Sequence, residues 1–271
     1  MKKLLLLLII IGPNLYAQHS LEKVWSTDST SLKNPESVLY DSKAKILFVS
    51  NIGEFGKDGV GFVSKVGLDG KIIKKDWVTG LTSTKGLGMN KNTLYAAENT
   101  AVAVIDIAKG TITKRITIDG AEMLNDITVD SKGIVYVSDS KKGKIHKIEN
   151  DKPSVYLENV NGINGLLSVG TDLYILADGK FWKADSSKKL TQLVEGIEGG
   201  ADGIEMIGKG EFLLTGWGGT IYYAKEDGTK QVLSDTRDKK VNAADLGWDG
   251  ASKTAYIPQM TSNRVVAFKL K

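Results

Sequence analysis

The sequence predicts an all-β protein, a six-bladed β-propeller whose blades are four-stranded antiparallel sheets. Three observations predict it. Apolar runs of five to eight residues alternate with turns rich in Gly, Asn, Asp and Ser, and no long segment carries the 3.6-residue period of an amphipathic helix. One unit recurs six times at a spacing near 40 residues, the length of a four-stranded blade. The sixth unit is one strand short, and a strand-like segment precedes the first.

A polar residue, then an apolar strand, then an acidic turn recurs along the chain. The openings are Glu36-Ser37-Val38, Lys85-Gly86-Leu87, Asn125-Asp126-Ile127, Asn164-Gly165-Leu166, Asp202-Gly203-Ile204 and Ala244-Asp245-Leu246. Their first residues lie 49, 40, 39, 38 and 42 apart. Loop 51–60 accounts for the long first spacing. Blade two reads as strands Gly86–Asn90, Thr93–Glu98, Ala101–Ile107 and Thr111–Ile118. Blade three repeats this as Asp126–Asp130, Ile134–Asp139, Lys144–Glu149 and Ser154–Glu158. The second strand of each blade carries a large side chain at a matching place, namely Phe48, Tyr95, Tyr136, Tyr174, Phe212 and Tyr256, expected to fill the space between blades. Blade six has only Asp245–Trp248, Thr254–Gln259 and Arg264–Lys271. Leu21–Ser26 is expected to supply its outer strand and close the ring, which removes the exposed sheet edges of an open structure.

Composition narrows the chemistry. The chain has 271 residues, 30 Gly, 4 Pro, no Cys and two His, His19 and His146. Disulfides, thiolate sites and cysteine nucleophiles are excluded. A zinc site built on several histidines has too few of them. Only three residues are Arg (Arg115, Arg237, Arg264), and the formal charge of +4 is spread along the chain, so no nucleic-acid-binding stripe is visible.

The N-terminus reads as a secretory signal peptide over residues 1–17. Lys2-Lys3 is followed by eight apolar residues, Leu4 to Ile11, then Gly12-Pro13 and a small residue at Ala17. Eight residues cannot span a bilayer, which needs about 20. The expectation is an exported, periplasmic or secreted protein, a monomer with no membrane span, whose propeller fills residues 18–271. Loss of Lys2 and Lys3 leaves a formal charge of +2.

In a meander of four strands per blade, the six openings gather at one end of the central channel. Glu36, Asn125, Asn164 and Asp202 offer hard oxygens and a formal charge of −2. Together they suit a divalent metal ion, Ca²⁺ before Mg²⁺ or Mn²⁺, rather than Zn²⁺ or Cu²⁺. Asn-Gly and Asp-Gly are also ordinary turn pairs, so spacing alone leaves both readings open. Loop 51–60, with Glu54, and Trp217 in Gly216-Trp217-Gly218-Gly219 are candidate ligand contacts at the same face. Glu98, Asp139 and Asp178 start equivalent loops and read as turn initiators. His146, alone in mid-strand, reads as a surface or packing residue.

Pro35-Glu36, Asn125-Asp126-Ile127-Thr128-Val129-Asp130, Asn164-Gly165-Leu166 and Asp202-Gly203-Ile204 resemble the metal-ligand motifs of the regucalcin/gluconolactonase-like six-bladed propellers. That family is also called senescence-marker-protein-like and is related to diisopropylfluorophosphatase and the paraoxonases. The resemblance covers nearly all of residues 20–271. It implies a divalent-metal-dependent hydrolase of lactones or related esters, with Glu36, Asn125, Asn164 and Asp202 as ligands. Asp202 then also acts as general base or as nucleophile. A small-molecule substrate is implied at the channel mouth, where Met123 stands in place of the family's sugar-binding arginine. The paraoxonase-like histidines have no counterpart. The alternative is a non-catalytic binding or scaffold propeller with a structural Ca²⁺ ion.

Overall fold

A computed structural model describes residues 18–271; the expected signal peptide, residues 1–17, lies outside the described residues. The chain forms six four-stranded antiparallel sheets in a ring, a six-bladed β-propeller. Blade one is Pro35–Asp41, Ile46–Asn51, Gly61–Gly67 and Ile72–Leu81. Blade two is Leu87–Asn90, Thr93–Ala97, Ala101–Asp106 and Thr111–Thr117. Blade three is Leu124–Val129, Val135–Asp139, Lys144–Glu149 and Lys152–Leu157. Blade four is Ile163–Val169, Asp172–Ala177, Lys180–Ala184 and Leu190–Glu195. Blade five is Ala201–Gly208, Glu211–Gly216, Thr220–Lys225 and Lys230–Asp235.

Blade six is completed from the other end of the chain. Gly247–Asp249, Thr254–Gln259 and Arg264–Leu270 pair in sequence, and Leu21–Ser26 adds antiparallel to Arg264–Leu270 as the outer strand. Ring closure therefore has the form expected from the sequence. The acidic turns also have their cause. Asp41 Oδ1 accepts the N–H groups of Lys43 and Ala44, Asp130 Oδ1 those of Lys132 and Ile134, and Asp249 Oδ1 that of Ala251. Each carboxylate thus holds the tight turn after an inner strand.

The core lies between blades, with one apolar cluster at each of the six interfaces. Tyr174, Phe181 and Phe212 meet between blades four and five; the Tyr174 and Phe212 rings are 4.7 Å apart. Of the six large side chains singled out in the second strands, Phe48, Tyr174, Phe212 and Tyr256 are buried, while Tyr95 and Tyr136 are half-buried against their clusters. A buried Phe contributes about 1.5–3 kcal/mol by removal from water. The inner strands line the channel with apolar residues among which Asp126, Glu205 and Asp245 are set.

Candidate functional site

Four inner strands share one irregularity. Pro35 pairs with Asn51, and the ladder resumes at Val38 with Val49. Leu124 pairs with Asp139 and Ile127 with Val137; Ile163 with Ala177 and Leu166 with Ile175; Ala201 with Gly216 and Ile204 with Leu214. In each case two residues of the inner strand stand opposite one residue of the second. The pairs are Glu36-Ser37, Asn125-Asp126, Asn164-Gly165 and Asp202-Gly203. This is a β-bulge, which frees a side chain from the ladder and re-aims it. The ladders of blades two and six start without such a step, at Leu87 with Ala96 and at Gly247 with Tyr256.

A bulge strands a backbone N–H, and hydroxyls on the second strand take three of them. Ser37 N donates to Ser50 Oγ (2.9 Å), Asp126 N to Ser138 Oγ (2.9 Å) and Gly203 N to Thr215 Oγ1 (2.8 Å). Blade four has Leu176 at that place.

Asn125 and Asn164 share one cavity, Asn164 is bonded to Asp202, and Glu36 lies within reach of the Asp202 charge. Asn125 and Asn164 line one cavity of about 520 Å³ at the channel mouth, with Met123, Ser140, Asp178 and Ala201. Asn164 Nδ2 donates to Asp202 Oδ1 (3.1 Å), and Asn125 Nδ2 to Ser140 Oγ (3.1 Å). Glu36 and Asp202 are buried, 6% and 1% exposed, and each lies within reach of the other's charge. Each of the four keeps one buried oxygen with no hydrogen-bond partner: Glu36 Oε2, Asn125 Oδ1, Asn164 Oδ1 and Asp202 Oδ2. A buried, unpaired acceptor costs about 1–3 kcal/mol, so four in one place call for a shared partner. Among the described residues no three His, Cys, Asp or Glu side chains converge as a metal cluster. The donors at this mouth are instead two carboxylates and two carboxamides, an all-oxygen set that fits a hard divalent cation.

The electrostatics have the same direction. Burial pushes the Glu36 carboxyl up to about 8, with the charge of Asp245 adding and that of Lys85 opposing. Burial, then Glu36 and Asp245, holds the Asp202 carboxyl well above the usual carboxylate range. Without a cation, these acids resist ionising together.

Beneath the mouth the channel continues as a cavity of about 250 Å³, lined by Asp126, Glu205 and Asp245 among apolar inner-strand residues. Asp126 Oδ1 accepts from Ile127 N (2.7 Å) and Oδ2 from Leu166 N (2.6 Å). Asp245 Oδ2 accepts from Ser37 Oγ (2.5 Å). Burial raises the Asp126 carboxyl well above its ordinary value, that of Asp245 to about 7 and that of Glu205 to about 8. The Asp126 and Asp245 carboxylates carry hydrogen bonds that tie neighbouring inner strands together.

The other expected contacts fall in different places. Met123 lines the mouth, and its N–H is held by Asp139 Oδ1 (3.1 Å). Glu54 is set apart from the four: it pairs with Lys57 (3.5 Å) and lines a separate cavity of about 390 Å³ with Lys33, Lys75 and Asp76. Trp217 is 45% exposed beside the fifth blade's entry, its N–H bonded to Gly200 O (2.6 Å). Glu98 is buried and committed to Thr82 N and Arg115, a turn and packing role. Asp139 likewise accepts the N–H groups of Glu122 and Met123. His146 is buried between Val137 and Val155, within the sheet of blade three. It is a packing residue, with its imidazole pKa lowered chiefly by burial.

Sequence reasoning marks Lys85 only as the opening of blade two, and passes over Glu205 and the hydroxyl residues Ser50, Ser138 and Thr215. The hydroxyls carry a signal: a Ser or Thr occupies the next-to-last place of the second strand in three of the four bulged blades.

No protein-family model matches the sequence, and no curated protein matches it. Solved structures do match in shape. A gluconolactonase from Xanthomonas campestris superposes with a TM-score of 0.69 at 15% identity, over 89% of this chain and 87% of that one. A streptogramin B lyase gives 0.67 at 12% identity, over 93% and 98%. The chain from the nidogen/laminin complex gives 0.64 at 14% identity, over 79% and 84%. At these identities the likeness is one of fold: the chain shares the six-bladed propeller of the gluconolactonase and lyase structures.

Proposed function

We propose that this chain is an exported, divalent-metal-dependent hydrolase that opens lactones or cleaves related small esters at the channel mouth. The observation that carries the reading is the set of four unpartnered buried oxygens on Glu36, Asn125, Asn164 and Asp202, one from each bulged inner strand. These residues fit a Ca²⁺ ion, with Mg²⁺ or Mn²⁺ as substitutes. When bound, the cation supplies Lewis acidity toward a carbonyl oxygen. Asp202 is the base. Asn164 Nδ2 fixes its Oδ1, which holds the carboxylate in one orientation toward the attacking water whose proton it accepts. Asn125 and Asn164 face the substrate cavity, and Met123 offers an apolar wall there.

The gluconolactonase neighbour supports a hydrolase, and the lyase neighbours offer a contrast. Virginiamycin B lyase from Staphylococcus aureus is inactivated by a single histidine-to-alanine replacement. Here His146 is packed inside blade three, and His19 pairs with Lys271 O and Gln231 near the chain ends. Neither lines the mouth cavity. That favours hydrolysis over a histidine-dependent elimination.

A panel of lactones and aryl esters, assayed with Ca²⁺, tests the reading. Turnover is expected, and is abolished by chelator and by Asp202→Ala. Calcium binding with no turnover across the panel overturns it. The non-catalytic binding propeller then stands, a reading that Met123 in place of a cationic sugar contact favours.

A further inference from the structure

Asp178 and Gly179 join Asp172–Ala177 to Lys180–Ala184, the second and third strands of blade four. Both have positive φ, 50° and 67°, the form of a two-residue hairpin turn, and Asp and Asn tolerate it. The turn is pinned on both sides. Asp178 N donates to Gly162 O (3.2 Å), two residues before Asn164, and Ile197 N donates to Gly179 O (2.8 Å) at the approach to blade five. Asp178 therefore holds a fixed place in the wall of the mouth cavity.

The other two acids that start such loops are committed inside the protein. Glu98 accepts from Thr82 N and Arg115, and Asp139 from Glu122 N and Met123 N. The Asp178 carboxylate accepts no hydrogen bond and makes no ion pair among the described residues; its contact with the blade entry is made by the backbone N–H instead. It is also the one charged side chain among the described residues that line the cavity. Three lysines of the same face are turned elsewhere: Lys180 lies over the Trp182 ring (5.8 Å), Lys142 pairs with Glu122, and Lys85 Nζ donates to Ser83 O and Asn99 Oδ1 (both 3.1 Å). None of the three lines the cavity. Glu36 and Asp202 together offset a divalent cation. The channel acids beneath, Asp126, Glu205 and Asp245, add no positive charge in either protonation state. The wall of the loaded mouth therefore offers a ligand one unmatched charge, and it is negative.

We propose that Asp178 is a recognition residue for a cationic group, so that the mouth selects lactones or esters carrying an ammonium over neutral ones. The proposal rests on the cation reading above and names the substrate class of that same site. The ligand's ammonium donates to the Asp178 carboxylate, while its carbonyl end lies toward the four unpartnered oxygens and their cation. A charge-assisted bond of this kind is stronger than a neutral one and discriminates by charge. Asp178 is exposed, so salt screens the attraction.

Calorimetric titration tests it, with 3-aminopyrrolidin-2-one and 3-hydroxypyrrolidin-2-one as probes. These lactams present the carbonyl of a five-membered lactone ring without its labile ester bond, and only the first is a cation at about pH 6.5. Calcium binding to the wild type is measured first. In calcium-saturated protein the amino-lactam is expected to bind about 5-fold more tightly than the hydroxy-lactam. That preference is expected to shrink from about 0.05 to about 0.5 M NaCl. Asp178→Asn is expected to bind the two lactams alike and to keep calcium affinity within about 3-fold of wild type, since only a screened charge is removed. Asp178→Gly, which the positive φ also admits, is expected to do the same. A melt in chelator close to that of wild type shows that the variants fold. Calcium binding with equal affinity for the two lactams, with no binding of the amino-lactam, or with the preference intact in Asp178→Asn overturns this proposal alone. Loss of calcium binding in Asp178→Asn makes Asp178 a ligand of the ion and overturns its assignment to recognition. Absence of calcium binding to the wild type overturns the cation reading, and this proposal with it.

Discussion

Asn164 Nδ2 donates to Asp202 Oδ1 at 3.1 Å, a hydrogen bond between the inner strands of blades four and five. It commits one polar atom of each side chain and leaves the other oxygens, Asn164 Oδ1 and Asp202 Oδ2, unpaired. A purely structural pair at this depth gains by satisfying every atom; this one is half-satisfied. Asp202→Asn therefore has opposite effects in the two states. In chelator the replacement removes a carboxyl whose ionisation burial and Glu36 oppose, so the melting temperature stays or rises. With calcium, the wild type gains about 2.7 kcal/mol at 100 times Kd, roughly 5–10 °C for a protein of this size. The variant loses most of that gain. Scanning calorimetry with and without EGTA measures both signs, and equal destabilisation in both states refutes the assignment.

The channel acids make the metal-free protein sensitive to pH. Burial, and then Asp245, raises the Glu205 carboxyl from 4.5 to about 8. A raised carboxyl binds more protons folded than unfolded. Its contribution is complete below about 4.5 and is lost as pH rises toward 8. Stability in chelator is therefore expected to fall across this window, by on the order of 1–3 kcal/mol from Glu205 after allowing for its partial exposure. Asp245, raised to about 7, adds in the same direction. Glu205→Gln should flatten part of the slope in urea melts at stepped pH. Stability that rises through this range excludes a buried acid here.

The ring of six blades is legible in the sequence because its signals are local. Strand alternation, acidic turns and the 40-residue spacing each report a few neighbouring residues, and Leu21–Ser26 is identified by the strand that blade six lacks. The openings mark Glu36, Asn125, Asn164 and Asp202, but the bulges that free them are a property of register against the next strand. Register is non-local, so although Ser50, Ser138 and Thr215 recur at the next-to-last place of the second strand, their role as partners of the bulge N–H groups shows only in the folded register. Glu205 escapes notice for a related reason. A glutamate in a strand reads as a solvated face unless the closed channel is already known. Glu54 lies away from the mouth because loop length says how far a loop can reach and not which way it folds.

Close approach of the inner strands makes Gly165 critical. A Cβ there would lie 2.0 Å from Asp202 O and 3.1 Å from Asp202 C, both backbone atoms. Gly165→Ala must therefore displace the strand that carries Asp202. Overpacking of this kind costs about 1–3 kcal/mol. Calcium affinity should fall with it, since the displaced backbone is that of a proposed ligand. Gly250→Ala is the control: its Cβ would meet Trp248 Nε1 at 3.4 Å, an ordinary contact. A Gly165→Ala protein with wild-type stability and calcium affinity contradicts this close packing of blades four and five.

Ring closure depends on a side chain as well as on a strand. Trp25 belongs to the outer strand of blade six, yet its Nε1 donates to Leu68 O of blade one (2.8 Å), and its ring lies 5.8 Å from that of Tyr256. Gly70 leaves room for the indole; a Cβ at Gly70 would be 2.7 Å from Trp25 Cε3. Trp25 thus joins the last blade to the first, where its strand's backbone hydrogen bonds hold only blade six. Trp25→Ala removes this packing and the indole bond. The expected cost is about 3 kcal/mol, at the low end for a large-to-small change because the ring is half-buried. Trp25→Phe keeps the packing but not the donor and should cost about 1 kcal/mol. Deleting residues 18–26 exposes the Arg264–Leu270 edge, and an unpaired edge recruits other chains. Urea denaturation orders the two point variants, and size-exclusion chromatography detects higher oligomers in the deletion. A deletion that keeps the wild-type elution volume and stability shows that the ring does not need its N-terminal strand.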